Sequence, residues 1–265
     1  MTVWFWLTGD MTDVEFEETR LLLSPQERAR CDRLLFRHDQ RDFAAAHALL
    51  RGALSFHTGE PPGSWLFTVD ARGKPHLAPC SSRWEFNISH TRGLVACALS
   101  ATGPVGVDVE AIDRAVHADA IVDSYFTQSE AAAIRRCRDR VERRARFFEL
   151  WTLKEAYLTA LGSGLSRALD EIVIEFSGGS GLHVTSAAGC TLREWTFGLF
   201  APTPRYRLSA AARNHGGTTV TVGAWPPDPA ARSLAALRAT AINSHGVRDD
   251  HSGDPRPNRS ARQVD

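Results

Sequence analysis

Two acidic residues stand at alternate positions near the middle of the chain, in the segment Gly106-Val107-Asp108-Val109-Glu110. Alternate side chains of a β-strand point the same way, so Asp108 and Glu110 share one face and the two valines face the core. Two carboxylates on one small patch repel each other unless a cation lies between them. Mg²⁺, which takes one or two protein carboxylates and completes its shell with water and substrate phosphate, is a natural partner. A lone pair of this kind is more often a solvated strand end, so the interpretation needs support from elsewhere.

A second pair of ionisable residues, Lys154 and Glu155, lies in a segment with helical periodicity. The apolar stripe of this helix consists of Phe147, Leu150, Trp151, Leu158 and Leu161. Lys154 lies on the stripe and Glu155 on its flank, so both are expected to be partly desolvated. Buried charges need partners, and a third carboxylate near Asp108 and Glu110 would serve as a metal ligand or a general base. The alternative is that Lys154 extends to the surface and Glu155 is an ordinary helix charge.

Groups suited to holding a phosphate occur earlier in the chain. Gly73-Lys74-Pro75 is predicted to be a turn, and Phe86-Asn87-Ile88-Ser89-His90 is predicted to end a strand, with His90 at its exit. A lysine, a hydroxyl and an imidazole at strand ends supply the charge and the hydrogen bonds that a phosphate needs. A lone histidine is nevertheless more often structural.

The basic residues show a strong bias, because 29 of the 31 are arginine and only Lys74 and Lys154 are lysine. Where lysine and arginine are interchangeable, such a bias replaces lysine with arginine. Lys74 and Lys154 therefore indicate positions that need a compact ammonium group; the alternative is chance. Arg37 and Arg41, at the joint between two predicted helices, are candidates for further cationic contacts. Both also fit the simpler description of solvated surface arginines.

The secondary structure elements that must position these groups follow the same order in both halves of the chain, helices first and then strands. Capping-box patterns at Ser24-Glu27 and Thr127-Glu130 each open a helix, and longer helices are predicted over Asp39–Phe56 and Val141–Leu161. Several short strands, separated by Gly, Pro and Ser turns, follow each group of helices. This order predicts an α+β fold made of two similar α+β subdomains in a pseudo-twofold arrangement.

The predicted subdomains are residues 1–110 and 111–225. The tail, residues 226–265, has little apolar content after Leu237, so we expect it to be disordered and dispensable.

Composition excludes several classes of function. The chain has 265 residues and is 43% hydrophobic, enough for a sizeable core. Its 31 basic and 31 acidic residues balance, so no chain-wide charge favours nucleic acid or an anionic membrane. No apolar run approaches the roughly 20 residues of a bilayer span, and no basic leader precedes Asp10. Five widely spaced cysteines without a C-x-x-C pair indicate neither a disulfide framework nor zinc. We therefore expect a cytoplasmic protein.

In chain order, GKP, FNISH, GVDVE, WTLKEAY and Gly162-Ser163-Gly164-Leu165-Ser166 resemble the motif series of the 4′-phosphopantetheinyl transferases of the surfactin-synthetase-activating type. The resemblance covers about residues 25 to 170. It implies a pseudo-twofold monomer whose two α+β halves bind coenzyme A and Mg²⁺ between them. It also implies transfer of the phosphopantetheine arm to a serine of an acyl or peptidyl carrier protein, with release of adenosine 3′,5′-bisphosphate. Such carriers serve fatty acid, polyketide and nonribosomal peptide biosynthesis.

The resemblance also implies roles for individual residues. The magnesium ligands of the family are matched by Asp108, Glu110 and Glu155, and its base for the carrier serine by Glu155. Its coenzyme A contacts are matched by Lys74, Pro75, Ser89 and His90, with Arg37 and, more loosely, Arg41 near the 3′-phosphate. One position departs: the usual lysine one helical turn after the glutamate is Thr159 here. The resemblance therefore leaves the leaving-group role to Lys154 or to a metal-bound water.

Other interpretations stay open at this stage. A non-catalytic carrier-binding paralogue would keep the fold, and Thr159 is the feature in its favour. A magnesium-dependent phosphohydrolase would use the same carboxylates but would not explain GKP and FNISH. If the protein does bind a carrier, Arg114, Tyr125 and Phe126 are the candidate docking surface.

Overall fold

The computed structural model describes residues 1–70, 75–78, 83–162, 169–177, 181–213 and 219–225. The first group of elements comprises β1 (Thr2–Leu7), α1 (Asp13–Leu21), α2 (Pro25–Asp32), α3 (Arg37–Thr58), β2 (Leu66–Val69), β3 (Pro75–Ala78), β4 (Glu85–Thr91) and β5 (Leu94–Ser100). The second comprises β6 (Val105–Ala111), α4 (Ala118–Tyr125), α5 (Gln128–Arg135), α6 (Arg140–Ala160), β7 (Ile172–Ser177), β8 (Gly181–Ser186), β9 (Trp195–Phe200), β10 (Tyr206–Arg213) and β11 (Thr221–Ala224). Among these elements no helix is both long enough and apolar enough to cross a bilayer.

The two groups build sheets of the same design. One sheet has the strand order β11-β1-β5-β4 and the other β6-β10-β9, so β1, β5 and β4 correspond to β6, β10 and β9. Each group also contains a hairpin after its long helix, β2–β3 in the first and β7–β8 in the second. The prediction of an α+β fold with two similar halves is confirmed.

The boundary between the halves differs from the predicted one. Strand β6, assigned above to the first subdomain, pairs with β10 of the second sheet, so the second half begins at Val105. The change of sheet takes place in the short turn that contains Thr102, Gly103 and Pro104 and separates β5 from β6. Strand β11 then returns to the first sheet, where it lies parallel to β1. The predicted disordered tail lies outside the described residues.

The buried apolar side chains of the described residues form three clusters, and one of them joins the two halves. One lies beneath α3 and includes Trp4 and Leu49, and another lies beneath α6 and includes Phe148 and Trp195. A third lies between the sheets and joins Val3 and Phe5 of β1 to strands β6 and β10. The two valines of the GVDVE segment belong to this third cluster, as predicted. Burial of the valines therefore turns the carboxylates of β6 towards α6.

Gly106 permits the close approach of β6 to α6. A Cβ atom at this position would lie 2.0 Å from the carbonyl oxygen of Ala156 and 2.6 Å from the backbone nitrogen of Ala160. Backbone atoms in a helix cannot move aside as a flexible side chain can, so any side chain here would push α6 away from β6.

We expect Gly106→Ala to lower the free energy of unfolding by about 1–3 kcal/mol or more, because the added methyl overpacks this contact. Urea denaturation would measure the loss. Gly63→Ala is the matched control, since nothing lies within 4 Å of a Cβ atom there. Equal stability of the two variants would contradict the proposed contact.

Candidate active site

Polar side chains of β4 reach across to β6 and position its two carboxylates. Ser89 Oγ donates a hydrogen bond to Asp108 Oδ1 at 3.0 Å and accepts one from the backbone N–H of Val109 at 3.3 Å. Asn87 Oδ1 accepts from the backbone of β6 at 2.8 Å, and Thr91 Oγ1 lies 3.5 Å from Glu110 Oε2. The FNISH and GVDVE segments therefore form one structural unit, although they come from different halves of the fold.

Glu155 of α6 completes a group of three carboxylates with Asp108 and Glu110. Burial raises the pKa of Glu155 to about 7, and the negative charges of the other two add to the rise. Burial, followed by the charge of Asp108, raises the pKa of Glu110 to about 7. Burial raises that of Asp108 to about 6, against the opposing hydrogen bond from Ser89. The carboxylates that the sequence analysis grouped are therefore close enough to repel one another in a poorly solvated place.

Two of the three carboxylates keep an oxygen without a partner. Asp108 Oδ2 and Glu155 Oε1 are buried and accept no hydrogen bond from the described residues. Glu110 differs, because its Oε1 accepts a hydrogen bond from Arg114 and its Oε2 faces Thr91. Within the described ranges no three His, Cys, Asp or Glu side chains converge closely enough to surround one ion. The free, buried, hard oxygens still fit Mg²⁺, which needs only one or two protein carboxylates.

The first half of the fold serves as an internal comparison. There the strand equivalent to β6 is β1, and it presents Trp4 and Trp6 to the hydrophobic cluster beneath α3. Gly52, within α3, lies against the ring of Trp225. The same architecture thus forms around tryptophans where the second half carries carboxylates. The fold does not require acidic residues at this position, which favours a functional reason for them.

Lys154 does not lie in this group, and its predicted role must be corrected. The side chain is completely buried, and Nζ lies 3.0 Å from Glu130 Oε1. It also donates hydrogen bonds to the carbonyl oxygens of Leu169 and Ile172, at 2.8 and 2.7 Å. Consecutive helix residues point about 100° apart, so Glu155 faces β6 while Lys154 points into the protein interior. An ammonium enclosed in this way cannot contact a phosphate of coenzyme A or a leaving group.

The first half repeats this buried ion pair. Arg51 of α3 donates to Glu27 Oε2 at 2.8 Å and to the carbonyl oxygens of Pro62 and Trp65 at 3.1 and 2.8 Å. In both halves the glutamate also completes a capping box at the start of the shorter helix. The cation in both halves binds the connection that follows the long helix. Lys154 therefore has a structural role, and Arg51 is its counterpart in the first half.

A cleft of about 760 Å³ opens in the first half between α2, α3 and the β2–β3 hairpin. Its lining includes Pro75 and His90, which the sequence analysis selected, and Arg30, Phe43 and His47, which it did not. The last two stand four residues apart on one face of α3, and this spacing was the available signal. His90 faces the cleft, whereas its neighbour Ser89 faces β6. Strand β4 is therefore the common wall of the cleft and the carboxylate group.

The remaining predicted residues lie elsewhere. Arg37 and Arg41 both pair with Asp13 of α1, at 3.0 and 3.2 Å, and Arg37 stacks on Phe16 at 3.9 Å. In the described part of the chain, neither arginine lines the cleft. Lys74 and residues 163–166 of the last motif lie outside the described residues.

Comparison with known proteins agrees with these motifs. A family model described as "4′-phosphopantetheinyl transferase superfamily" matches residues 104–211, and one described as "4′-phosphopantetheinyl transferase, N-terminal" matches residues 10–102. The chain is 33% identical over 167 residues to the 4′-phosphopantetheinyl transferase HetI of Nostoc sp., covering 62% of this chain and 70% of that protein. It is 27% identical over 164 residues to the 4′-phosphopantetheinyl transferase Sfp of Bacillus subtilis, covering 62% and 71%.

Among solved structures, a holo-(acyl-carrier-protein) synthase from Bacillus anthracis in complex with CoA is 14% identical, with a TM-score of 0.35, over 42% of this chain and 96% of that one. The assignment to a family therefore rests on the sequence matches, whose two models meet at the turn between β5 and β6. The resemblance predicted from the motifs is confirmed, and the chain belongs to the 4′-phosphopantetheinyl transferase family.

Proposed function

We propose that this protein transfers the 4′-phosphopantetheine arm of coenzyme A to a serine of an apo acyl or peptidyl carrier protein and releases adenosine 3′,5′-bisphosphate. The observation that carries the proposal is the group of three poorly solvated carboxylates, Asp108, Glu110 and Glu155, beside a cleft that shares strand β4 with it. The first half forms a similar sheet without these acids, which supports a functional role for them.

Asp108, Glu110 and Glu155 would hold Mg²⁺. When bound, Mg²⁺ neutralises charge on the diphosphate of coenzyme A. The support is the donor set itself: Asp108 Oδ2 and Glu155 Oε1 are buried oxygens without partners, and a cation removes their mutual repulsion.

In the proposed reaction the hydroxyl oxygen of the carrier serine attacks the β-phosphorus of coenzyme A. A bond forms between these atoms, the bond from the β-phosphorus to the bridging oxygen breaks, and the bisphosphate leaves with the bonding electrons. Glu155 accepts the hydroxyl proton as a general base, through the carboxylate oxygen that does not bind the ion. Ser89 keeps Asp108 in place by its hydrogen bond.

We propose that the nucleotide portion of coenzyme A binds in the cleft. Arg30 and His90 supply positive or hydrogen-bonding groups there, and Pro75 follows Lys74 directly in the sequence. Arg30 takes the place that the sequence analysis gave to Arg37 and Arg41, whose guanidinium groups are paired with α1.

We expect Arg30→Gln to raise the KM for coenzyme A by about tenfold with little change in kcat, since a phosphate contact contributes equally to the ground and transition states. Arg28→Gln on the same helix is the matched control, because Arg28 does not line the cleft. Steady-state kinetics at varied coenzyme A would measure both. An unchanged KM for Arg30→Gln would contradict the proposal that the nucleotide binds in this cleft.

The transfer itself is tested by incubating the protein with coenzyme A, MgCl₂ and an apo carrier protein, then weighing the intact carrier. A mass gain of one phosphopantetheine, absent when the acceptor serine is alanine, supports the proposal. Cleavage of coenzyme A without a carrier indicates a phosphohydrolase, and an unmodified carrier that still binds the protein indicates a non-catalytic paralogue.

We further propose that the protein acts as a monomer in the cytoplasm, without nucleic acid or membrane partners. One chain already supplies both sides of the site, with β4 from the first half and β6 and α6 from the second. The balanced charge favours no polyanionic partner. Sedimentation at working concentration would detect a dimer.

A further inference from the structure

Arg114 reaches the carboxylate group from the protein surface. It donates a hydrogen bond from Nη1 to Glu110 Oε1, and its charge acts on Asp108 as well. The two partners are differently exposed, since the side chain of Glu110 is 11% exposed and that of Arg114 is 53% exposed. Lys154, on the adjoining helix α6, is completely buried and bound to Glu130.

The backbone beneath Arg114 is held firmly. Arg144 of α6 donates from Nε to the carbonyl oxygen of Ile112 at 2.6 Å, and from Nη2 to the carbonyl oxygen of Arg114. The N–H of Ile112 donates to the carbonyl oxygen of Arg205 at 2.8 Å. Arg114 is therefore a half-exposed side chain on a fixed turn, so it can change partner without a change in the backbone.

Glu110 cannot serve two cations through the same oxygen. A divalent ion that binds Glu110 through Oε1 displaces the guanidinium from that oxygen, since like charges repel at contact distance. The displaced group stays within one side chain's length of the carboxylates, where a bound diphosphate would be the next anion available to it. A planar guanidinium matches phosphate oxygens well, through two parallel N–H donors.

We propose that Arg114 exchanges partners during the reaction, pairing with Glu110 in the resting protein and with the diphosphate of coenzyme A once the divalent ion is bound. In this role it neutralises the departing bisphosphate, which Lys154, enclosed beside Glu130, cannot reach. The proposal rests on the proposed function, because the diphosphate belongs to that reaction.

The first test measures Mn²⁺ binding to the full chain without coenzyme A. Arg114→Gln should bind Mn²⁺ about twofold to fivefold more tightly than the wild type, because the ion no longer competes with an exposed ion pair. Arg205→Gln is the control, since Arg205 pairs with Asp113 of the same turn, at 3.0 Å, and is similarly exposed. Equal effects of the two substitutions would reduce Arg114 to a general surface charge and overturn the proposal.

The second test measures transfer to the carrier with saturating Mg²⁺. Arg114→Gln should lower kcat by roughly tenfold to a hundredfold, whereas Arg114→Lys, which keeps a cation, should retain more activity. Thr159 stands one helical turn after Glu155, so Thr159→Lys in the Arg114→Gln background should restore part of kcat. Tighter Mn²⁺ binding together with slower transfer is a combination that a merely structural role does not produce.

A kcat for Arg114→Gln equal to that of the wild type would overturn the exchange while leaving the proposed function intact. A wild-type chain that modifies no carrier would instead overturn the proposed function, and Mn²⁺ binding would still report on the pairing with Glu110. Circular dichroism of each variant excludes misfolding as the cause.

Discussion

Lys154→Ala is expected to lower the free energy of unfolding by about 3–5 kcal/mol, because it leaves Glu130 charged and enclosed without its partner. Glu130 is 1% exposed and also accepts a hydrogen bond from the backbone N–H of Ile174 at 2.9 Å, so it cannot turn to water. Two carbonyl oxygens lose their donor as well. Urea denaturation at pH 7 would measure the loss.

Arg135→Ala provides the comparison for Lys154→Ala. Arg135 pairs with Asp123 on the surface, where both side chains are more than half exposed, so its loss should cost less than about 1 kcal/mol. Under conditions where Lys154→Ala stays folded, its kcat per folded chain should match the wild type. Full stability combined with a large fall in kcat would show that Lys154 takes part in the reaction and would contradict its structural role.

Asp108→Asn should have opposite effects on activity and on stability. Loss of a ligand charge should slow transfer by about 10²–10⁴-fold, since a bound cation contributes several kcal/mol to the transition state. In the metal-free protein the same change should raise stability at pH 8 by about 1–3 kcal/mol. Asparagine still offers an oxygen to Ser89, so the β4–β6 contact is kept.

The sign of the stability effect follows from burial. Burial raises the pKa of Asp108 from 3.8 to about 6, so the folded chain holds this proton more tightly than the unfolded chain. Stability of the wild type should therefore fall as the pH rises from about 4 to 6 and remain lower above it, whereas Asp108→Asn should lack this component. Thermal unfolding in chelator across this range would measure both proteins. Asp113→Asn, on an exposed side chain, is the control; a destabilised Asp108→Asn at pH 8 would contradict the assignment.

Local sequence patterns predicted the fold well where a single residue type fixes the backbone conformation, as at the start of a helix. The capping boxes at Ser24 and Thr127 begin helices α2 and α5 as predicted, because the side chains satisfy free backbone N–H groups. The alternation in GVDVE correctly predicted that the valines face the core and that the two acids lie on the opposite face of β6, which is the face that contacts α6. Strand β3 and helix α4 were not predicted, because they are only four and eight residues long.

Side-chain partners from distant elements were harder to predict. An inward-facing lysine indicates burial but not the partner that it faces, and Lys154 pairs with Glu130 instead of a phosphate. The internal repeat contained the missing signal, because Arg51 follows the capping-box Glu27 by 24 residues and Lys154 follows Glu130 at the same spacing. Arg37 was similarly misplaced, since nothing local shows that Asp13 approaches it.

Binding of Mn²⁺, followed by electron paramagnetic resonance, tests most directly whether Asp108, Glu110 and Glu155 form one cation centre. With coenzyme A present, the wild type should bind a single tightly held ion, and Asp108→Asn and Glu155→Gln should each weaken it by at least about tenfold. Asp113→Asn should leave the ion in place. Mn²⁺ affinity that is the same in all four proteins would show that the carboxylates do not hold the ion and would contradict the proposed centre.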